Sequence, residues 1–250
     1  MAKISTKNLS TLPDVLQLQR LCKSLATLDA IISDDWSLRY YSYNKNWDKE
    51  NKEEFFEMRD GSGDEFKILF NQYGAIINGF AHESQMSNWI EREVPPSTFM
   101  DKLGKFFGKK ETDISQKIWK GVIDSVPPEF KAFILEEPVK SSGTTFCIWR
   151  KFTDDKWNIG NIQFPNDDYG DGSVELLYIL NNDPSTYVEW AIEYYDEFFE
   201  DHELNVKLVK HIYDHELLTK EIVDQINPEI MNYEALKNDF NEIGYDYSGF

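Results

Sequence analysis

Basic residues are nearly missing from the last third of this chain. Residues 161–250 carry 4 Lys+Arg against 21 Asp+Glu, whereas residues 1–160 carry 22 against 24. Almost all of the net charge of −19 therefore lies in the C-terminal part. Binding a nucleic acid requires a basic face that displaces counterions from phosphate, so a field of this sign argues against DNA or RNA as partner. The same field repels an anionic membrane surface and attracts a basic protein. Long apolar runs are missing too: no stretch approaches the roughly 18 residues of a membrane span. The opening MAKISTKNLSTLPDV has no apolar signal core. Cysteine is scarce. Cys22 and Cys147 sit in the apolar contexts LCKSL and FCIW, which predicts buried free thiols and fits a reducing cytoplasm. Neither the G-x-x-x-x-G-K-[ST] phosphate loop nor the G-x-S-x-G nucleophile elbow occurs, and no cofactor is expected.

Aromatic residues are plentiful. They make up 15% of the chain within a hydrophobic total of 41%, ample for a packed core and unlike a disordered composition. Leu12 to Ile32 reads as a helix, with Val15, Leu18, Leu21, Cys22, Leu25, Leu28 and Ile32 at helical spacing. Pro13 suits its first turn. Strands are expected over 38–44, 55–59, 66–70 and 75–82, the middle pair joined by the hairpin signal DGSGD. In the first strand Tyr41 and Tyr43 share one face and Tyr40 takes the other. The segment from Ser84 to Thr112 carries the proline- and glycine-rich signals of an excursion or boundary. Short helices are expected over 115–125 and 128–135, then a hairpin of strands 144–152 and 157–164. Everything after Ser173 reads helical, with Asp183-Pro184 and Asn227-Pro228 as start signals and Gly244 as a helix end. The fold class predicted is α+β: an antiparallel meander and a hairpin packed with helices, ending in an acidic helical third. One domain over 1–250 is expected, with a sheet portion 1–165 and a helical portion 173–250.

The helix after Asp183 carries the strongest candidate surface. Val188, Ala191, Ile192, Tyr195, Phe198 and Phe199 form an apolar stripe at 3.6 spacing. Glu189, Glu193, Asp196, Glu197 and Glu200 fall opposite, and no lysine or arginine occurs between Lys156 and Lys207. Like charges at i,i+4 destabilise a helix by a few tenths of a kcal/mol per pair. The helical wheel places Trp190 beside Glu197, among carboxylates, an arrangement typical of protein interfaces. A partner-binding face of Glu189, Trp190, Glu193, Glu197 and Glu200 is one reading, extended by Asp167, Asp168 and Asp171 if their loop folds alongside. A solvated face that keeps the chain soluble is the other.

Other clusters carry weaker chemistry. His211 and His215 stand at i,i+4, a spacing that can bind zinc. The order His211-Ile-Tyr-Asp-His215 is similar to the H-x-x-E-H pattern of inverted zinc peptidases, with Asp214 replacing the general base; a metal-dependent hydrolase is thus the alternative function. Asp60, Ser62 and Asp64 alternate as in a calcium loop, but Glu65 and Asn71 occupy the positions that need Gly and Glu, so the segment reads as a turn. His82-Glu83-Ser84 closes the fourth strand as a further polar cluster.

LCKSLATLDAII with Trp36 and RYYSYN, MRDGSGDEF, GAIINGFAHES and TTFCIWRK together resemble a family of uncharacterised bacterial proteins. By size, acidity and VPPEFKAFI (Val126 to Ile134), the chain is similar to immunity proteins of bacterial toxin systems. That similarity implies a non-enzymatic module that neutralises a basic toxin domain by binding it.

Overall fold

The computed structural model describes residues 3–87, 118–165 and 170–250. Helix α1 spans Val15–Ile32. Its start is a capping box: the Asp14 carboxylate accepts from the Gln17 amide at 2.9 Å, and the Gln17 side chain accepts from the Asp14 amide. Pro13 therefore precedes the cap rather than filling the first turn. From Leu21 onward α1 is buried nearly all round, Ser24, Thr27 and Asp29 included, because the sheet covers one side and the C-terminal helices the other.

Six strands form one antiparallel sheet in sequence order: β1 (Tyr41–Asp48), β2 (Glu53–Arg59), β3 (Glu65–Asn71), β4 (Gly74–Phe80), β5 (Phe146–Lys151) and β6 (Asn158–Ile159). β1 begins three residues later than expected, since 36–38 form a 3-10 turn capped by Asp35. β6 keeps only two of its eight expected residues. The meander and hairpin stand as expected. In the β2–β3 turn, one Asp60 carboxylate oxygen accepts from the amides of Ser62, Gly63 and Asp64 at 2.8–2.9 Å, so backbone donors consume the oxygen a calcium ion would need.

The period of two divides the sheet into two packed faces. Tyr41, Tyr43, Phe56, Met58, Phe66, Ile68 and Phe70 face the main core with α1. Leu69, Ile76, Cys147 and Trp149 face a second cluster with Val122, Val126, Phe130 and Ile134. The latter two belong to α2 (Pro128–Leu135), which is followed by the short α3 (Val139–Ser142). Central strands buried on both faces read as continuous apolar runs, as ILF and GAIING do. Gly79 pairs with Phe146, whose ring occupies the space a Cβ at 79 would take, 1.9 Å from its Cζ; only glycine admits that ring. Of the helix expected over 115–125, residues 118–125 form turns and the remainder, like most of the 84–112 excursion, lies outside the described residues.

The C-terminal part comprises α4 (Ser173–Leu176), α5 (Pro184–Tyr194), α6 (Asp196–Phe199), α7 (Val206–Tyr213), α8 (Lys220–Ile226) and α9 (Tyr233–Ile243). It is not wholly helical. Leu218–Thr219 (β7) and Tyr247–Ser248 (β8) pair in parallel. Asp183 caps α5, accepting from the Ser185 amide, with Pro184 in the first turn, as its sequence signals. Gly244 ends α9 at φ 81°. Asn227-Pro228 does not start a helix. Asn227 ends α8, and its side chain donates to the Ile31 carbonyl at 2.7 Å, tying that turn to the end of α1; Asn232 caps α9 instead.

Asp29 joins three elements. One of its carboxylate oxygens accepts from the Tyr40 and Tyr41 amides at 2.9 Å and from the Tyr195 hydroxyl at 3.0 Å; the other accepts from the Tyr187 hydroxyl at 2.7 Å. The residue is fully buried. Burial raises its pKa to about 6 against the lowering effect of these four donors.

Candidate partner-binding surface

α5 buries a stripe rotated from the expected one. Tyr187, Trp190 and Ala191 are buried, while Ile192 is 43% exposed. The physical reason is what α5 packs against: the Tyr41 ring at the start of β1 and the Tyr40 ring just before it, which lies outside the strand and joins the same core instead of the opposite sheet face. Trp190 stands 4.9 Å from the Tyr40 ring, 4.8 Å from Tyr41 and 5.3 Å from Tyr187, and stacks on Tyr194 at 5.2 Å. Aromatic rings gain more from such offset and edge contacts than Val188 or Ile192 would gain in the same place. Trp190 is thus a core residue, 8% exposed, and its expected place among surface carboxylates is corrected.

The helix also breaks. Tyr195 leaves helical geometry at φ −103°, ψ 42°, which brings its hydroxyl to Asp29. Three pairs of acids from the expected face stand at i,i+4: Glu189–Glu193 lies within α5, Glu193–Glu197 straddles the break, and Asp196–Glu200 runs from the first residue of α6 to its C-cap. Glu189, Glu193, Asp196, Glu197 and Glu200 are all exposed, and none of them forms an ion pair with a described lysine or arginine. Asp171 does not extend this face. It is buried, bonded to the Thr6 hydroxyl and to the amide and hydroxyl of Ser173 at 3.0 and 2.7 Å, and so anchors the N-terminal segment to the start of α4. Asp167 and Asp168 lie outside the described residues.

Beside the acids lies an apolar patch that periodicity did not reveal. Trp36 is 54% and Leu38 59% exposed, and Tyr178 and Tyr194 are partly open. The Tyr194 hydroxyl donates to the Leu38 carbonyl at 3.3 Å, and the Arg59 guanidinium stacks over Trp36 at 4.1 Å. Burial and then the Glu193 charge push the Tyr178 hydroxyl up to about 12, and Glu193 directly precedes Tyr194 in the chain. Aromatics at the centre with charge around them is the composition of an interface hot spot. The sequence signal was the aromatic density around Trp36. Its gathering with residues 178 and 194 depends on tertiary packing.

The imidazole pair is not a pair. α7 ends at Tyr213, and His215 has left-handed backbone, φ 57°. Its Nε2 meets the Arg20 carbonyl at 2.8 Å and its ring stacks on Tyr245 at 5.0 Å. His211 instead faces Glu216, Nδ1 to carboxylate 3.0 Å, and the Leu217 carbonyl. The shared helix face that zinc binding required is therefore absent, and the described residues hold no group of three or more His, Cys, Asp or Glu placed to bind a metal. In the His82-Glu83-Ser84 cluster, the His82 Nδ1 lies 2.7 Å from Asp64, whose hydrogen bond raises the ring's pKa, and the Ser84 hydroxyl donates to the Gly170 carbonyl. Histidine and serine thus serve separate loops. Among the described residues, no helix is long and apolar enough to cross a membrane.

Comparisons with protein-family models, curated proteins and solved structures return no match for this chain.

Proposed function

We propose that this chain is a non-enzymatic binding module that docks a basic protein on its α5–α6 face, in the manner of the toxin-immunity proteins its sequence resembles. One observation carries the reading: exposed carboxylates without described basic partners border an exposed aromatic patch. The patch of Trp36, Leu38, Tyr178 and Tyr194 supplies apolar contact. Glu189, Glu193 and Glu197 supply the field that steers a cationic partner and selects against anionic ones.

The test uses a basic protein as probe, the product of a toxin-like reading frame where one lies beside this gene. Association of the two purified proteins is followed across a salt series with the wild type and the triple variant E189K/E193K/E197K. The variant is expected to associate about tenfold more slowly or worse and to lose most of the salt dependence. Equal rates and equal salt slopes for both proteins would remove this face from the interaction.

A further inference from the structure

A groove of about 660 Å³ opens on the opposite face of the sheet from α5, between the β1–β2 turn and α2. Its apolar wall is a ladder of rings. Trp47, 46% exposed, stacks on Phe55 at 4.3 Å and 20°, and Phe55 meets the Phe133 ring edge-on at 6.4 Å. Carboxylates surround it: Asp48, Glu50 and Glu53 from the turn, Glu129, Glu136 and Glu137 from α2 and its end. Lys49 is the one basic residue among the described lining, and none of the six acids forms an ion pair with a described residue. Partial burial and then the adjacent Asp48 charge raise the pKa of Glu53, so the groove holds negative charge that a cation would relieve.

We propose that this groove binds an arginine-bearing extended segment of a protein partner. Two independent features select that chemistry. An open tryptophan face attracts a guanidinium laid over it, and carboxylates accept the paired N–H donors of the same planar group in a geometry that lysine's point charge does not reproduce. The length fits as well. The eight residues of α2 form a wall about 12 Å long, which spans about four residues of extended chain, with alternate side chains directed into the groove. This site does not depend on the α5–α6 reading, since its residues lie on the other side of the sheet.

The test is calorimetric titration of the whole protein at low ionic strength with an eight-residue peptide alternating arginine and serine. The groove variant E129Q/E136Q/E137Q is expected to bind about tenfold more weakly, and W47L several-fold more weakly. The α5 variant E189Q/E193Q/E197Q, of the same net charge as the groove variant, is expected to stay within about twofold of wild type. All substituted acids are exposed, and a thermal melt of each variant confirms the fold. Absence of peptide binding by wild type, unchanged affinity in the groove variant, or equal weakening in both triple variants overturns the proposal. The last result would show a general field and no groove. Each result leaves the association test of the α5–α6 face separately decidable.

Discussion

Replacing Asp29 with asparagine tests how this fold uses a fully buried carboxylate. Among the described residues the carboxylate has no cation within hydrogen-bond reach, and it is held by two amides and two phenols. Its pKa stands at about 6 in the folded protein against an ordinary 3.8. A carboxyl whose folded pKa lies above its unfolded value binds more protons when folded, so its contribution to stability grows as pH falls from about 7 toward 4 and is absent above 7. Between pH 7 and pH 5 these two values imply a gain of about 1 kcal/mol from this group alone. Asparagine has nearly the same shape. Its carbonyl can keep the Tyr40, Tyr41 and Tyr195 donors, while its amide donates to the Tyr187 hydroxyl, which rotates to accept. Asp29→Asn should therefore fold, and it should lack this part of the pH dependence. Urea unfolding at several pH values from 5 to 7 measures the difference between wild type and variant, which cancels the background of the other acids. Parallel pH profiles for the two proteins would refute the argument. Asp29→Ala provides the contrast. It orphans four buried donors at about 1 kcal/mol or more each, and should cost roughly 4 kcal/mol in the same assay.

Trp190→Ala should lower stability by about 3–5 kcal/mol, the cost of emptying a large aromatic site in a core; a change within about 0.5 kcal/mol on urea unfolding would return Trp190 to the surface. His215 titrates in the opposite sense to Asp29. Burial lowers the pKa of its ring from 6.5, so below that pH the unfolded chain takes up a proton that the folded chain resists, and stability is lost on acidification. His215→Asn keeps the left-handed backbone, which asparagine tolerates, and should show a smaller loss of stability between pH 7 and 5 than wild type in chemical denaturation.

How far the chain could be read residue by residue depends on the range of the forces involved. The start of α5 at Asp183-Pro184 and the end of α9 at Gly244 are set by bonds within a few residues, and sequence alone located both. So did the DGSGD hairpin, where one aspartate side chain binds three amides of its own turn. The strand faces of Tyr41 and Tyr43 followed from a period of two. Asn227-Pro228 misled because the same side chain that can cap a helix here reaches a carbonyl on α1, 196 residues away in sequence.

The candidate surfaces divide along the same line. The lack of basic residues between 157 and 206 is a property of sequence, and it sufficed to locate an exposed row of acids. Which side of α5 is buried was not local. Six apolar and aromatic residues offered two overlapping stripes, and Tyr40 and Tyr41 selected the one containing Trp190. Likewise the break at Tyr195, the separation of His211 from His215, and the joining of Trp36 with Tyr194 each require a contact between distant segments. Composition and spacing thus determined the fold class, the sign of the field and the helix that bears it. Tertiary packing alone decided which aromatics became core and which remained open to a partner, because side-chain burial is settled by what lies across the interface and not by the helix itself.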